Sequence, residues 1–354
     1  MKNLFLLLFL VIGCKEKSGE GEIEFYNGEK QFTNNQFSIS SIKAVNIPLY
    51  SVTDTTDIRA IDFIGDNTII VDAKNRIFII NKQYRKIAEF GTLASDSLKL
   101  ISARNIIIKS QNEFLVHDLT KNILHPFKYD REINKWVVEK PIELIKDLHG
   151  LISFDTLPNS TLIATSVNSD KGKVIKFTID SSQKIGGFIG KIPEIKKQIS
   201  FVTCMEYRSS CIYDNNTNTI FLAHFYTDLI EAYDLKGVLK FKIHGPDNFK
   251  PVYKLGYQHG QQIFLNTKKT KTAYIALAAD NKYLYTLYSG NEMKNSKASK
   301  TIYIFTKDGQ PFKKIELVQD IYNIKIDKMN NRLYGFKTGE NKLEQLFYFD
   351  LSKL

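Results

Sequence analysis

The stretch that decides the fold is "IRAIDFIGDNTIIVDAKNRIFIINKQYRKIAEFG", residues 58–91. It contains four short runs rich in Ile, Val and Phe, and each run is bounded by Asp, Asn, Gly or Lys. Runs of this length and composition predict β-strands, and the residues between them predict turns. We therefore interpret residues 58–91 as one unit of four strands.

The same pattern recurs along the rest of the chain. Each unit has a strand, an Asp/Asn turn, a strand, a polar turn and a strand, and most units add a fourth strand. Five further units begin at Ala103, Leu151, Ser209, Ala273 and Tyr322. Because no stretch of 12 or more residues carries a convincing helical apolar pattern, the chain is predicted to be all-β. A unit spacing of roughly 45–60 residues fits a propeller blade with its loops.

The two ends of this array predict how it closes. The sixth unit has only three strands before Leu354, whereas an extra strand, "SIKAVNIPLY" at residues 41–50, precedes the first unit. We predict a six-bladed β-propeller over residues 41–354, in which this N-terminal strand becomes the outer strand of the last blade. Closure is needed because each sheet can bury its faces only against neighbouring blades. A pair of β-sandwiches would not explain six matched registers, and the units are too long for the coils of a β-helix.

The N-terminus predicts an export signal. In "MKNLFLLLFLVIGCKEK", one Lys precedes an apolar run at residues 4–12. This run is shorter than the about 20 residues of a membrane-spanning helix but suits a signal-peptide core. Residues 11–14, "VIGC", resemble the lipobox of bacterial lipoproteins, in which the Cys is lipidated; an ordinary signal peptide is the alternative. We therefore expect a signal peptide at residues 1–13, and a lipidated Cys14 with a flexible tether at residues 14–40.

The charge balance is basic without indicating nucleic acid. The 354 residues carry a formal net charge of +11, with 43% hydrophobic and 25% charged residues. Only seven of the basic residues are Arg, and the Lys residues are scattered along the chain. Scattered Lys residues are typical of solvated surfaces and protected sheet edges. We therefore expect no nucleic-acid partner.

The two remaining cysteines are Cys204 and Cys211. An even pair in an exported chain favours a disulfide in an oxidising compartment. Two buried free thiols are the alternative. A disulfide would fix the loop that carries Tyr207 and Arg208.

Familiar catalytic and metal-binding motifs are absent from the sequence. It contains no GxSxG, HExxH, GxxxxGK[ST] or GxGxxG motif, and its six His residues have no zinc-ligand spacing. The residues Asp66, Asp214, Asp280 and Asp327 lie at inter-strand turns, where we expect them to form turns and not to bind calcium. We therefore assign no catalytic residue, metal or cofactor.

Arginines recur at one position of the predicted blades. When the turns are aligned, Arg59 and Arg104 begin inner strands at equivalent positions, and Arg208 directly precedes another inner strand. Because inner strands begin at one mouth of a propeller channel, we expect a basic ring there, with His149 nearby. Arg recognises carboxylates and phosphates in a planar, bidentate way. The ring therefore predicts a site for an anionic ligand, although pairing with neighbouring acidic residues is the alternative.

The longest connection, residues 244–272, joins the fourth and fifth units. Long loops often carry function. Its Tyr253, Tyr257 and His259 are amphipathic side chains suited to lining a pocket. We include them in the predicted ligand site, together with Tyr207 and with Tyr288, which ends a strand near a mouth; a packed loop is the alternative.

The last third of the chain resembles a known family. Its segments "YLYTLYSG", "TIYIFTKDGQPFKKIEL" and "NNRLYGF" are similar to the TolB-like six-bladed propeller lipoproteins of Bacteroidetes-type bacteria. The similarity is strongest over residues 273–336. One departure is "FGTLASDSLKL" at residues 90–100, where relatives often have a Gly-rich turn. The resemblance implies an exported propeller that binds a ligand or partner, and it transfers no catalytic residues.

Together these patterns predict a binding module at the cell envelope. We expect a lipid-anchored monomer, held at the outer membrane, that binds an envelope protein, a glycan or a small anionic ligand. The alternative is a lyase or hydrolase that acts on a saccharide or peptide at the channel mouth. Such an enzyme would need an acid, Tyr or His within about 3 Å of the proton that moves.

Overall fold

The computed structural model describes residues 18–20, 30–41, 44–47, 58–91, 98–180, 182–193, 201–293, 298–338 and 344–353. These residues form six blades and one additional hairpin. The strands of blade 1 are Ile58–Ile64, Asn67–Asp72, Ile77–Ile80 and Lys86–Phe90. The strands of blade 2 are Ala103–Ser110, Glu113–Asp118, Ile123–Asp130 and Lys135–Val138, with Ile142–Glu143 at the edge. The strands of blade 3 are Leu151–Thr156, Leu162–Ser166, Val174–Phe177 and Ile185–Ile189.

Blades 4, 5 and 6 repeat the arrangement. The strands of blade 4 are Ser209–Asp214, Thr219–His224, Leu229–Asp234 and Leu239–His244. The strands of blade 5 are Tyr274–Ala279, Tyr283–Tyr288, Ser299–Thr306 and Pro311–Ile321. The strands of blade 6 are Asn323–Asp327, Arg332–Thr338 and Glu344–Asp350. Within each blade consecutive strands pair antiparallel. The six predicted units are therefore confirmed, and their inner strands begin at the predicted starting points or one residue later.

The blades are arranged in a closed ring. The first strand of each blade contacts the first strand of the next, and that of blade 6 contacts that of blade 1. Strand Val45–Ile47 pairs antiparallel with Glu344–Asp350, so it supplies the outer strand that blade 6 lacks. Ile47 is buried there. The predicted closure of the propeller by an N-terminal strand is confirmed.

The flexible tether predicted for residues 14–40 is wrong for residues 18–20 and 30–40, which contain paired strands. Strand Lys30–Gln31 runs parallel to the outer strand of blade 4, and Ser38–Ser40 runs parallel to that of blade 5. Between them Phe32 and Phe37 are buried, and each packs edge-to-face on Phe305 with ring centroids 5.1 and 5.5 Å away. Burial of two aromatic rings explains why this polar segment is ordered. Cys14 lies outside the described residues.

Apolar side chains fill the spaces between blades. Between blades 1 and 2, Val71, Ile79 and Phe114 are fully buried, and Phe114 stacks on Phe127 with centroids 4.7 Å apart. Each such side chain contributes about 1.5–3 kcal/mol by its removal from water. This packing fixes the inner strands that line the channel.

The turns use aspartate as the sequence predicts. Asp280 accepts hydrogen bonds from the backbone N–H groups of Lys282 and Tyr283 at 2.7 and 2.6 Å. Asp214 and Asp327 accept backbone N–H groups of their own turns in the same way. These three side chains are turn formers, as predicted.

The long connection between blades 4 and 5 is a β-hairpin and not an open loop. Its strands are Val252–Gln258 and Gln261–Asn266, and Ser18–Glu20 pairs with the first of them. It lies against the short α-helix Phe201–Glu206. The 3-10 helices of the described chain are Asn34–Gln36, Lys146–Leu148, Pro158–Ser160 and Leu351–Lys353.

Candidate functional site

The central channel has two mouths. We call the end at which the inner strands begin the strand-start mouth, and the end at which they finish the strand-end mouth. Residues from the finishing ends of the inner strands of all six blades, including Ile108, Asp155 and Asp327, line one common cavity. The inner strands therefore share one direction, and the predicted arginines all lie at the strand-start mouth.

Arg59 and Arg104 belong to neighbouring blades. The Nη1 atom of Arg59 donates to Asn75 Oδ1 at 2.7 Å, and the same oxygen accepts the backbone N–H of Ala103 at 3.0 Å. Arg104, the next residue, is exposed and donates from Nε to Ser102 Oγ at 3.3 Å. Asn75 therefore holds Arg59 beside the start of the strand that carries Arg104.

Arg208 is positioned by an aromatic ring. Its guanidinium carbon lies 4.6 Å from the centroid of Phe225, which is a cation–π geometry. Among the residues that the structure describes, neither Arg104 nor Arg208 forms an ion pair with a carboxylate. By contrast, the buried Arg76 pairs with Asp72 at 2.7 Å. The guanidinium groups of Arg104 and Arg208 are thus available to a ligand at the strand-start mouth.

His149 lies at the same mouth, as the sequence predicts. It follows the 3-10 helix Lys146–Leu148 and lies two residues before Leu151, where the inner strand of blade 3 begins. Its side chain is exposed, and its carbonyl accepts the Ser166 hydroxyl at 3.3 Å. The structure therefore leaves the imidazole accessible from solvent.

Three of the predicted tyrosines are buried and already contact polar or charged side chains of the protein. Tyr253 donates its hydroxyl to Glu206 Oε1, and Tyr288 donates to Asp247 Oδ2 at 2.6 Å. Tyr207 is 5% exposed, and its ring lies under a lysine. The prediction that these three side chains line an open pocket is corrected, because packing against neighbouring elements buries them.

Tyr257 and His259 lie at the tip of the additional hairpin. Tyr257 is 70% exposed and accepts a hydrogen bond from Gln262 Nε2 at 3.1 Å, whereas His259 is exposed with a φ of 49°. Within the described part of the chain, neither side chain forms a hydrogen bond or ring contact with Arg104 or Arg208. Their part in ligand binding stays a prediction.

The predicted disulfide is contradicted. Cys204 and Cys211 are both buried free thiols, and they belong to different apolar clusters. Cys204 Sγ donates to the Ser169 carbonyl at 3.3 Å, whereas Cys211 Sγ donates to the Ser153 carbonyl at 3.5 Å. Burial raises the pKa of Cys204 to about 11 and that of Cys211 to about 12. The short spacing in sequence does not bring them together, because the helix and the inner strand present them to different neighbours.

A buried ionic network supports the backbone from which Arg208 extends. Lys173 Nζ lies 2.8 and 2.7 Å from the two carboxylate oxygens of Glu231, and His224 Nε2 lies 2.9 Å from Oε2. Lys173 also lies 4.5 Å above the ring of Tyr207. Blade 3, blade 4 and the residue before Arg208 are thus joined through one carboxylate.

The network has opposing effects on its titratable groups. Burial alone raises the pKa of Glu231, but Lys173, His224 and Lys242 outweigh burial and place this pKa well below its usual range. Burial lowers the pKa of His224 despite the adjacent carboxylate. Glu231 is therefore ionised and His224 is neutral at pH 7.

The strand-end mouth holds a cavity of about 340 Å³ that sequence reasoning missed. Three charged side chains from three blades meet there. Lys325 Nζ lies 2.7 Å from Asp62 Oδ2, and Asp155 Oδ2 accepts the backbone N–H of Tyr213 at 2.7 Å. The available signal was a charge inside an apolar inner strand, as in "IRAIDFI" and "NIKID".

Comparisons with known proteins place the fold. The family model described as TolB-like 6-blade propeller-like matches residues 60–329. No curated protein matches the chain in sequence. Within the described ranges, no helix has the length and apolar character needed to cross a membrane.

Two solved structures from Bacteroides are similar in fold. A member of the DUF4221 family from Bacteroides vulgatus ATCC 8482 has a TM-score of 0.58 and 8% identity, covering 90% of this chain and 98% of its own. A protein of Bacteroides fragilis NCTC 9343 named "Putative exported protein" has a TM-score of 0.56 and 10% identity, covering 91% and 98%. At these identities the likeness concerns the fold alone.

Proposed function

Because the chain belongs to the TolB-like six-bladed propeller family, we propose that it is an exported, lipid-anchored binding module of the cell envelope. Its ligand is anionic, a small molecule, glycan or protein segment that presents carboxylate or phosphate groups. The strand-start mouth receives it. The module acts as a monomer without a cofactor.

The single observation that carries this proposal is the state of Arg104 and Arg208. Neither has a carboxylate partner in the described part of the chain, and Arg208 rests on the Phe225 ring. A guanidinium that contacts an aromatic ring and has no carboxylate partner keeps N–H donors for bidentate bonding to an anion. This arrangement suits recognition of an anion better than stabilisation of blade contacts.

The burial of the predicted site tyrosines favours binding over catalysis. Tyr253 and Tyr288 hold carboxylates through their hydroxyls, and burial raises the pKa of Tyr288 far above its usual range. Such groups are poor proton donors or acceptors for a substrate. The lyase or hydrolase alternative therefore has less support than a rigid binding surface.

The proposed location at the cell envelope rests on the N-terminal sequence. The "VIGC" segment at residues 11–14 would place a lipid on Cys14, and two or more acyl chains anchor a protein stably. A Cys14→Ala variant should move from the membrane fraction to the soluble periplasmic or secreted fraction. Retention of that variant in the membrane fraction would contradict the anchor.

Calorimetric titration of the full chain in detergent micelles tests the binding proposal. The probes are glucuronate and inorganic phosphate, with glucose as the uncharged match for glucuronate. We expect glucuronate to bind, glucose to bind at least tenfold more weakly, and the Arg104→Ala/Arg208→Ala variant to lose at least tenfold in affinity for glucuronate.

A matched control removes two arginines elsewhere. Arg85 and Arg131 are exposed and lie in turns between third and fourth strands, at the opposite end of their blades. The Arg85→Ala/Arg131→Ala variant has the same loss of charge and should bind the anions as the wild type does. Equal binding by both double variants would defeat the proposal, because net charge alone would then explain any attraction.

A further inference from the structure

The cavity at the strand-end mouth has the form of a second ligand site. Its volume of about 340 Å³ is at the lower end of the about 300–1,000 Å³ that is typical of small-molecule sites. Its wall combines charged groups with apolar and aromatic residues, among them Phe63, Ile107, Phe154 and Ile212. A few convergent charged groups on an apolar wall are typical of a site that orients a small ligand.

Two of the three carboxylates that line this cavity, Asp155 and Asp327, form no ion pair within the described residues. Lys325 pairs with Asp62 at 2.7 Å. Asp155 accepts only backbone N–H groups, from Thr156 and Tyr213, each at 2.7 Å. Within the described ranges no cationic side chain lies at ion-pair distance from Asp155.

The charge count of the whole lining agrees with this local picture. The cavity is lined by three carboxylates and two ammonium groups, so one formal negative charge is left over; these residues are Asp62, Asp155, Asp327, Lys325 and Lys328. Asp327 is occupied by its own turn, where it accepts the N–H groups of Met329 and Asn330. Asp327 also accepts the side-chain amide of Asn330 and so receives three hydrogen bonds from its own turn, whereas Asp155 receives two. Asp155 therefore has more remaining capacity to accept a hydrogen bond from a ligand.

We propose that this cavity binds a small molecule that carries a single protonated amine. The ammonium group pairs with Asp155, and the carbon body lies against Phe63, Phe154 and Ile107. A charge-assisted hydrogen bond to a carboxylate is among the stronger ones available, and the aromatic wall adds cation–π attraction. Lys325 stays on Asp62 and repels a second positive charge, which limits the ligand to one.

The environment of Asp155 supports the assignment. Burial raises the pKa of its carboxyl, and the hydrogen bonds from Tyr213 and Thr156 and the charge of Lys325 offset this only in part. A ligand ammonium would supply the positive charge that the protein leaves out. This site is separate from the strand-start mouth and does not depend on the anion-binding proposal.

A charge series of equal-sized probes tests the inference. Benzylamine, benzyl alcohol and benzoate share one ring and differ in charge, so calorimetric titration of the full chain compares charge alone. We expect benzylamine to bind at least tenfold more tightly than benzyl alcohol and benzoate. Asp155→Asn should remove this preference, because the amide carries no charge. Equal affinities for the three probes, or a preference for benzoate, would overturn the proposal.

Two further variants keep the test sharp. Lys325→Met removes a competing cation, so it should keep or strengthen the preference for benzylamine, even if Asp155→Asn proves unstable. A loss of the preference in Lys325→Met would contradict the proposal. Arg104→Ala/Arg208→Ala, at the opposite mouth, should leave benzylamine binding unchanged; a tenfold loss in that variant would place the amine elsewhere and overturn the assignment.

Discussion

Lys325 Nζ lies 2.7 Å from Asp62 Oδ2 and so joins blade 6 to its neighbour, blade 1, at the strand-end mouth. The outer edge of blade 6 is completed independently by strand Val45–Ile47. The ring is therefore closed twice, by strand pairing at the rim and by an ion pair at the centre.

Replacement of Lys325 tests the central closure. Lys325→Met leaves Asp62, whose side chain is 12% exposed, without its cation. Breaking a buried pair costs about 3–5 kcal/mol, but the Lys325 side chain is 38% exposed, so we expect a loss nearer about 1–2 kcal/mol. Urea denaturation at pH 7 measures this loss.

The pH dependence of this loss has a definite sign. Burial lowers the pKa of Lys325, but Asp62 and Asp155 outweigh burial and raise it. The pair therefore stabilises the fold fully below the pKa of an unfolded lysine, about 10.4, and the contribution disappears as the pH rises through the folded-state pKa. The difference between wild type and Lys325→Met should shrink there; a difference that grows would refute the ion pair.

The network around Glu231 predicts a larger effect. Glu231→Gln leaves the buried Lys173 without its counterion, and we expect a loss of about 3–5 kcal/mol in the free energy of unfolding. Because the folded pKa of Glu231 is lowered, its contribution is present above the unfolded value of about 4.3 and is lost as the pH falls through the folded-state pKa.

A double-mutant cycle separates this pair from its surroundings. Lys173→Met combined with Glu231→Gln should be less destabilising than the sum of the two single changes. Strict additivity in urea denaturation would show that the two side chains do not interact, and would contradict the network.

The segment before the closing strand has its own test. Phe37 is 6% exposed between blades 4 and 5, whereas Ile39, two residues later, is 72% exposed. Phe37→Ala should destabilise the protein by about 3–5 kcal/mol, and Ile39→Ala should change stability by less than about 0.5 kcal/mol. Equal, small effects of both changes in urea denaturation would contradict the packing of this segment on the blades and would favour the flexible tether.

The fold was predictable because its signal is local. Period-two patterning and Asp/Asn turns repeat in every blade, and the extra strand at residues 41–50 could pair only where a blade lacked one. Phe32 and Phe37 escaped prediction because two isolated rings in a polar segment do not reveal which blades they contact.

The sites were less predictable because each joins distant parts of the chain. Lys173 and Glu231 are 58 positions apart, and Asp62, Asp155 and Lys325 come from three blades. Equivalent positions in the repeat correctly placed Arg59, Arg104 and Arg208 at one mouth. The same reasoning could not tell that Tyr253 and Tyr288 are buried, since their partners Glu206 and Asp247 lie on other elements.

The state of the thiols can be read by alkylation. Burial of Cys204 and Cys211, with pKa values of about 11 and about 12, should make both unreactive towards iodoacetamide at pH 8 in the folded protein. Both should react fully in denaturant without any reductant. A failure to react in denaturant, reversed by dithiothreitol, would show that the disulfide exists after all.

The most direct test of anion binding at the strand-start mouth is a crystal structure of the full chain grown with saturating glucuronate. We expect the carboxylate of glucuronate to lie within hydrogen-bond distance of the guanidinium group of Arg104 or Arg208 at the strand-start mouth. Glucuronate bound at the strand-end cavity or on a blade surface, with both guanidinium groups in contact with solvent alone, would contradict it.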